Sequence, residues 1–182
     1  MYEAGKWVGH GYYADFFRIR NNTTLGVKID LRGKKALEEE YEKLLILKKI
    51  GISVPYCKGV KMIKFPAYFE KTIEKQNITG ITQKQRTSLK NLAGEVRYGL
   101  VMEIIEEDIK LVSNKRITYI FEKEMNKIKA LGIIPGRDAD MNVLWSQNNA
   151  KLYFIDFERW IIPKELYPGP LKRFWRLFFR KN

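Results

Sequence analysis

The sequence has few of the residues that build several common kinds of active site. Of its 182 residues one is a cysteine, Cys57, and one is a histidine, His10. A lone cysteine cannot form a disulfide within the chain, which fits a reducing compartment such as the cytoplasm. A lone histidine argues against a zinc site with several histidine ligands and against a Ser-His catalytic triad. We expect His10 to be a polar residue at a hairpin tip.

Long apolar runs are missing too, and charge of one sign dominates. No segment is apolar over a length that could span a membrane, and no signal peptide is recognisable. The chain carries 34 Lys and Arg against 21 Asp and Glu, a formal net charge of +13. Such a field predicts an anionic partner, which could be a nucleotide, a nucleic acid, a phospholipid or an acidic glycolipid. A nucleic acid has the weakest support, because no nucleic-acid-binding motif accompanies the charge.

Two short apolar segments near the C-terminal end predict a hairpin with a metal site at its open end. Residues 142–145 and 151–155 have strand composition, and residues 146–149 between them are turn-forming. This hairpin would place Asn142 beside Asp156, the carboxylate that directly follows the second strand. Magnesium takes oxygen ligands and usually one or two protein carboxylates together with phosphate and water. The pattern therefore predicts that Asn142 and Asp156 bind a magnesium–nucleotide complex.

A glycine-bearing hairpin and a strand lysine stand out near the N-terminus. Gly9 and Gly11 lie between apolar runs of strand composition, and glycine lets a backbone approach phosphate oxygens closely. By itself this spacing is weak, because most such hairpins are only turns. Lys28 lies between Val27 and Ile29 in a predicted central strand, where an unpaired lysine is rare. The alternative is an edge strand with Lys28 facing water.

An acidic helix follows and offers that lysine a partner. Residues 37–50 have apolar positions at helical spacing, Gly51 supplies a C-terminal cap and Pro55 prevents continuation. Most of the glutamates in this run should form a solvated face. One that lies next to the apolar stripe could reach Lys28 and neutralise it.

The order of these features resembles the protein-kinase-like superfamily. The glycine hairpin, the strand lysine, the acidic helix, the strand of residues 98–105, Asn142 and Asp156 follow one another as in that superfamily, from about Trp7 to Glu158. The sequence is most similar to short atypical members: the RIO kinases, the lipopolysaccharide core kinases and the PhoP-regulatory-network kinase-like proteins. The resemblance implies one α+β domain with a minimal bilobal fold. An antiparallel-sheet N-lobe with one helix would cover residues 1–105, with an insertion at about 61–97, and a truncated helical C-lobe would cover residues 106–182.

The resemblance implies ATP and Mg²⁺ as cofactors, and it assigns a role to each matching residue. Lys28 would hold the α- and β-phosphates, Glu40 would orient Lys28, and Asn142 and Asp156 would bind magnesium. The glycines would shape the loop over the phosphates, two apolar side chains would cover the adenine and the base of the loop, and hinge backbone groups behind Met102 would bind adenine. These further nucleotide-binding positions are Val8, Gly9, Gly11, Phe16, Met102, Glu103 and Ile105.

The catalytic loop departs from the family pattern. In the relatives an aspartate precedes the metal-binding asparagine by five residues, but here Arg137 stands at that spacing and Asp138 comes one residue later, about 3.8 Å along the chain. If the loop is one residue shorter than in the relatives, Asp138 rather than Asp140 is the base that orients the acceptor hydroxyl. If it is not, Arg137 occupies the base position and cannot accept a proton. The first alignment predicts an enzyme and the second a pseudokinase.

The preferred function is therefore ATP-dependent phosphoryl transfer to a hydroxyl of an anionic protein or a membrane-associated glycolipid. The alternatives are a nucleotide-binding pseudokinase that acts as a regulatory adaptor and, more remotely, a basic nucleic-acid-binding protein. Residues 171–181 predict a basic amphipathic helix with an aromatic face. It would either lie on anionic lipid at the inner face of a membrane or pack on the C-lobe. We expect a cytoplasmic protein, with peripheral membrane contact through Leu171–Lys181 as an option.

Overall fold

A computed structural model describes residues 1–10, 13–67, 91–105, 115–146 and 148–167. Within these ranges the chain is α+β, as expected. The elements in chain order are β1 (Tyr2–His10), β2 (Ala14–Ile19), β3 (Leu25–Asp30), α1 (Lys34–Lys49), β4 (Cys57–Lys64), β5 (Val96–Glu103), α2 (Lys115–Ala130), β6 (Val143–Ser146), β7 (Lys151–Phe154) and a short 3-10 helix (Lys164–Leu166). None of the helices in the described ranges has the length and apolar character needed to cross a membrane.

The chain forms two compact units. Unit 1 comprises Met1–Tyr41 and Tyr56–Ile104, and unit 2 comprises Glu42–Pro55 and Ile105–Asn182. The first half of α1 therefore belongs to unit 1, and its second half groups with unit 2.

Unit 1 is built on a five-stranded sheet in the order β1-β2-β3-β5-β4 that closes on itself. Four of the five strand pairings are antiparallel, as expected, but the closing pair is parallel and joins Tyr2 to Ile63 and Glu3 to Lys64. Phe17 and Phe65 meet edge to face inside the sheet with ring centroids 5.2 Å apart, and both are fully buried. These two rings anchor the core of unit 1.

The position of β3 decides between the two interpretations of Lys28. β3 pairs with β2 on one side and with β5 on the other, and Lys28 lies opposite Phe16 and Leu100. The prediction of a central strand is therefore confirmed, and the edge-strand alternative is wrong.

Unit 2 combines α2, the β6–β7 hairpin and an aromatic cluster. Ile117 and Ile128 are the buried side chains of α2. Phe154 and Phe157 each pack edge to face on Trp160, with ring centroids 5.5 and 5.0 Å apart, and all three are buried. This cluster fixes the chain directly after β7.

Helix ends and the insertion differ in detail from expectation. α1 ends at Lys49, and Gly51 supplies its C-terminal cap, as predicted: Gly51 has φ +79°, its N–H donates to the Lys48 carbonyl, and the Ile52 N–H donates to the Leu47 carbonyl. This pairing is a Schellman cap. The helix begins three residues earlier than predicted. β4 runs to Lys64 and β5 starts at Val96, so both strands overlap the ends of the insertion expected at about 61–97. Gly11 lies outside the described residues, and so does the predicted helix over residues 171–181.

Candidate functional site

Lys28 and Glu40 form the ion pair that the sequence predicts. The Lys28 Nζ donates to both carboxylate oxygens of Glu40, at 2.9 and 2.8 Å. The side chains are only 14% and 4% exposed. Because removing one partner of a buried pair leaves an uncompensated charge, such pairs hold their geometry strongly. The ammonium is therefore fixed in place by a two-oxygen partner.

The rest of the acidic helix behaves as a solvated face. Glu38 and Glu39 pair with Lys34 and Lys35 one turn earlier, and all four side chains are about half exposed or more. Glu40 instead follows the buried Leu37 by three residues and so lies on the inner side of the helix. The choice of Glu40 among its neighbours is thus explained by helical spacing.

The glycine hairpin leaves open space where a ligand backbone contact is expected. Gly9 pairs with Phe16 across β1 and β2, and an added Cβ at Gly9 would meet no atom within 4 Å. Val8 beside it is 46% exposed. Phe16 lies over Gly26, where an added Cβ would fall 2.5 Å from the ring, so the ring position requires a glycine there. Gly26 was not predicted, although a glycine inside a strand is a known sign of close approach.

The end of β5, where the resemblance places the hinge, has one backbone donor already in use. The Glu103 N–H donates to the Tyr56 carbonyl at 2.8 Å, and the Glu103 carboxylate accepts the Tyr56 N–H at 3.1 Å. Any bond from the Glu103 backbone to adenine must therefore come from its carbonyl. Met102 is buried, as expected for the residue behind the hinge, and Ile105 is half-buried.

The β6–β7 hairpin brings together the backbones of the two predicted metal ligands. Val143 pairs with Phe154, and the Ile155 N–H donates to the Asn142 carbonyl at 3.0 Å. Asp156 is the next residue, so the predicted adjacency of the two strand ends is confirmed. Asp156 has φ +55°. Non-glycine residues rarely adopt this left-handed conformation, and aspartate tolerates it better than most.

The chain after Asp156 is held by a lysine that the sequence did not single out. The Lys43 Nζ donates to the carbonyls of Phe157 and Glu158, at 3.0 and 2.7 Å. Lys43 follows Glu40 by three residues on α1, and this helical spacing is the only sequence signal that could have found it.

The candidate catalytic loop is a turn that starts at Asp138. Its carbonyl accepts the N–H groups of Met141 and Asn142, at 3.0 and 3.1 Å. Its carboxylate lies 3.7 Å from Arg159, which sequence reasoning missed, and is 30% exposed. Asp140 is exposed and accepts the N–H of Met141 through its side chain at 3.1 Å. The two aspartates therefore have different surroundings, and Arg137 is exposed.

The donor set fits magnesium better than a metal held by protein alone. Within the described ranges no group of three His, Cys, Asp or Glu side chains is placed to hold a metal ion. Asn142 and Asp156 offer one amide and one carboxylate oxygen. Such a pair suits magnesium, which keeps waters and takes phosphate oxygens as its remaining ligands.

Comparison with known proteins assigns the chain to no family: no protein-family model matches it, and neither does any curated protein. Its function must be inferred from the residues described above.

Proposed function

We propose that the chain is an ATP- and Mg²⁺-dependent phosphotransferase with a minimal protein-kinase-like fold. Its acceptor would be a hydroxyl of an anionic protein or a membrane-associated glycolipid. The observation that carries the proposal is the buried ion pair of Lys28 and Glu40, on the central strand of unit 1 and on α1. An ammonium oriented by two carboxylate oxygens is a rigid cation that can neutralise phosphate oxygens.

Phosphoryl transfer depends mainly on positioning and charge neutralisation, and this chemistry matches the residues available. In unit 1, Lys28 would bind the α- and β-phosphates, and the open backbone at Gly9 would cover them. Gly9 supports this role because a Cβ there would meet no atom within 4 Å among the described residues. Carbonyl and amide groups of the hinge near Met102 would bind adenine.

Unit 2 would supply the metal site and the acceptor base. Asn142 and Asp156 would hold the magnesium ion, which when bound neutralises charge on the transferring phosphates. Asp138, tied through its backbone to Asn142, would accept a hydrogen bond from the acceptor hydroxyl. The net charge of +13 favours an acceptor that is itself anionic.

Calorimetric titration of ATP tests the nucleotide half of this proposal. The parent should bind ATP more tightly with Mg²⁺ than with EDTA. Lys28→Met should weaken binding in both conditions, whereas Lys35→Met, which removes an exposed lysine of α1, should change neither. Equal ATP affinity of Lys28→Met and the parent would contradict the proposal. Single-stranded DNA, RNA and excess ADP are then tested as competitors of ATP. If the nucleic acids displace ATP and ADP does not, the nucleic-acid alternative is favoured.

A nucleotide-binding pseudokinase is the second candidate, and a specific observation favours it. The Asp138 carboxylate already has a cation, Arg159, at 3.7 Å, and Arg137 stands at the family spacing for the base. The pseudokinase would bind Mg²⁺·ATP with the same residue dependence but would transfer no phosphate to protein, lipid or water.

A further inference from the structure

We infer that Lys43 is a positioning residue for the metal site: it holds the backbone after Asp156 so that this carboxylate faces the magnesium ion. The inference rests on the proposed function, since it adds a residue to the same site. Lys43 itself would touch neither the metal nor the nucleotide.

Lys43 donates to main-chain atoms of two consecutive residues. Its ammonium donates to the carbonyls of Phe157 and Glu158, at 3.0 and 2.7 Å. Two successive carbonyls aimed at one cation fix the orientation of both peptide planes. A charged donor makes stronger hydrogen bonds to carbonyls than a neutral one does. The path of the chain after Asp156 is therefore set by α1.

Asp156 is constrained from both sides. On one side, the Ile155 N–H donates to the Asn142 carbonyl at 3.0 Å, which ties the end of β7 to the other predicted ligand. On the other side, Phe157 is fully buried against Trp160, and Lys43 holds its carbonyl. Between these anchors Asp156 keeps φ +55°, a conformation that persists only where the surroundings impose it.

Groups that orient a metal ligand without touching the metal affect metal affinity strongly, and their loss typically lowers it by about 10- to 100-fold. Removing the Lys43 ammonium would let the two carbonyls turn and would free Asp156 to leave its metal-binding direction. The pair of Lys28 and Glu40 would stay in place, because both Glu40 carboxylate oxygens accept directly from the Lys28 ammonium. Loss of Lys43 should therefore act on metal binding and spare metal-free ATP binding.

The test measures the ATP dissociation constant with EDTA and with saturating Mg²⁺, and takes the ratio of the two as the metal coupling. Lys43→Met should reduce this ratio by about 10-fold while the metal-free constant stays within about twofold. Lys49→Met, an exposed lysine on the same helix, is the matched control and should change neither value. Lys43→Arg, which keeps a charged donor, should restore part of the ratio. Asp156→Asn calibrates the full loss of coupling.

The outcomes separate this inference from the proposed function. If Lys43→Met keeps the parent ratio while Asp156→Asn loses it, the role of Lys43 is refuted and the proposed function stands. Equal weakening with and without metal would also refute it, because that result indicates a general structural role. If Asp156→Asn keeps the parent ratio as well, the role of Lys43 and the proposed function are both refuted. Should Lys43→Met fail to fold, Lys43→Gln, which retains a shorter neutral donor, must lower the ratio at least about threefold, and a parent-like ratio overturns the inference.

Discussion

At the scale of single residues, Gly9 and Gly136 differ in what an added Cβ would meet. A Cβ at Gly9 would meet no atom within 4 Å among the described residues, so packing there does not require a glycine, and the proposed phosphate-loop role gives a reason for one. A Cβ at Gly136 would lie 2.9 Å from the Asp138 Oδ1, so that glycine gives the candidate base its space. Under the proposed function, the first glycine would serve nucleotide binding and the second would serve the placement of the base.

This contrast gives a matched pair of substitutions. Gly9→Ala should leave the free energy of unfolding within about 0.5 kcal/mol of the parent and should weaken ATP binding. Gly136→Ala should leave ATP binding unchanged and slow phosphoryl transfer, because the Asp138 carboxylate must move. Chemical denaturation, calorimetry and single-turnover transfer provide the three readouts. Unchanged ATP affinity in Gly9→Ala would argue against the phosphate-loop role.

The buried and exposed ion pairs of α1 provide a second comparison. Glu40→Gln removes the carboxylate that accepts two hydrogen bonds from the buried Lys28 ammonium and should cost about 3–5 kcal/mol of stability. Glu38→Gln breaks the pair of Glu38 with Lys34, in which both side chains are 49% exposed. This variant should lose less than about 1 kcal/mol of stability. Urea denaturation of both variants checks the difference. Similar losses in both would show that the buried pair is not strongly held.

At the scale of elements, the β6–β7 hairpin fixes the position of Asp156 but also places it in an unusual conformation. Because φ is +55°, the side chain at this position affects stability, and under the proposed function it would also affect metal binding. Asparagine tolerates the left-handed region about as well as aspartate, whereas alanine does so less readily.

Asp156→Asn should therefore keep the free energy of unfolding within about 0.5 kcal/mol of the parent, and Asp156→Ala should lower it by about 1–2 kcal/mol. Both variants should lose most of the effect of Mg²⁺ on ATP binding. Denaturation and calorimetry with and without Mg²⁺ measure the two effects separately. An Asp156→Asn variant that retains the full effect of Mg²⁺ would refute the ligand assignment.

Local sequence patterns predicted the elements that short runs of neighbouring residues define. The apolar stripe from Leu37 and the cap at Gly51 defined α1, and two apolar runs around a polar turn defined the β6–β7 hairpin. The early start of α1 was missed because its first turn, Lys34–Ala36, comes before the first core-facing residue of the apolar stripe. Lys61 and Lys64 interrupt the apolar pattern of β4 on its exposed side, so the sequence does not mark where that strand ends and the insertion begins.

Contacts between distant parts of the chain could not be predicted in the same way. The parallel pairing of Tyr2 with Ile63 closes the sheet, and no local pattern encodes which strand completes it. Lys43 and Arg159 were missed because a lysine or arginine among charged neighbours looks like a solvated side chain. Lys28 was found because a lysine inside an apolar strand is unusual and calls for a partner, whereas Glu40 was singled out among the glutamates of α1 only by the family resemblance.

At the scale of the whole molecule, the candidate residues lie in two compact units. Lys28 and Glu40 belong to unit 1, and Asn142, Asp156 and Asp138 belong to unit 2. The central claim is that both sets act in one reaction, the transfer of the γ-phosphate of ATP. Loss of Lys28 and loss of Asp156 should then each abolish the same activity.

Single-turnover transfer of radiolabelled γ-phosphate tests this claim most directly. The parent is mixed with Mg²⁺·ATP and with cell lysate or isolated membranes, and labelled protein and lipid are quantified over time. We expect labelling by the parent, none with Lys28→Met or Asp156→Ala, and a rate at least about 10²-fold lower with Asp138→Asn at nearly unchanged ATP affinity. Equal rates for Asp138→Asn and the parent would refute Asp138 as the base. No labelling of any acceptor by the parent despite tight Mg²⁺·ATP binding would contradict the account and favour a pseudokinase.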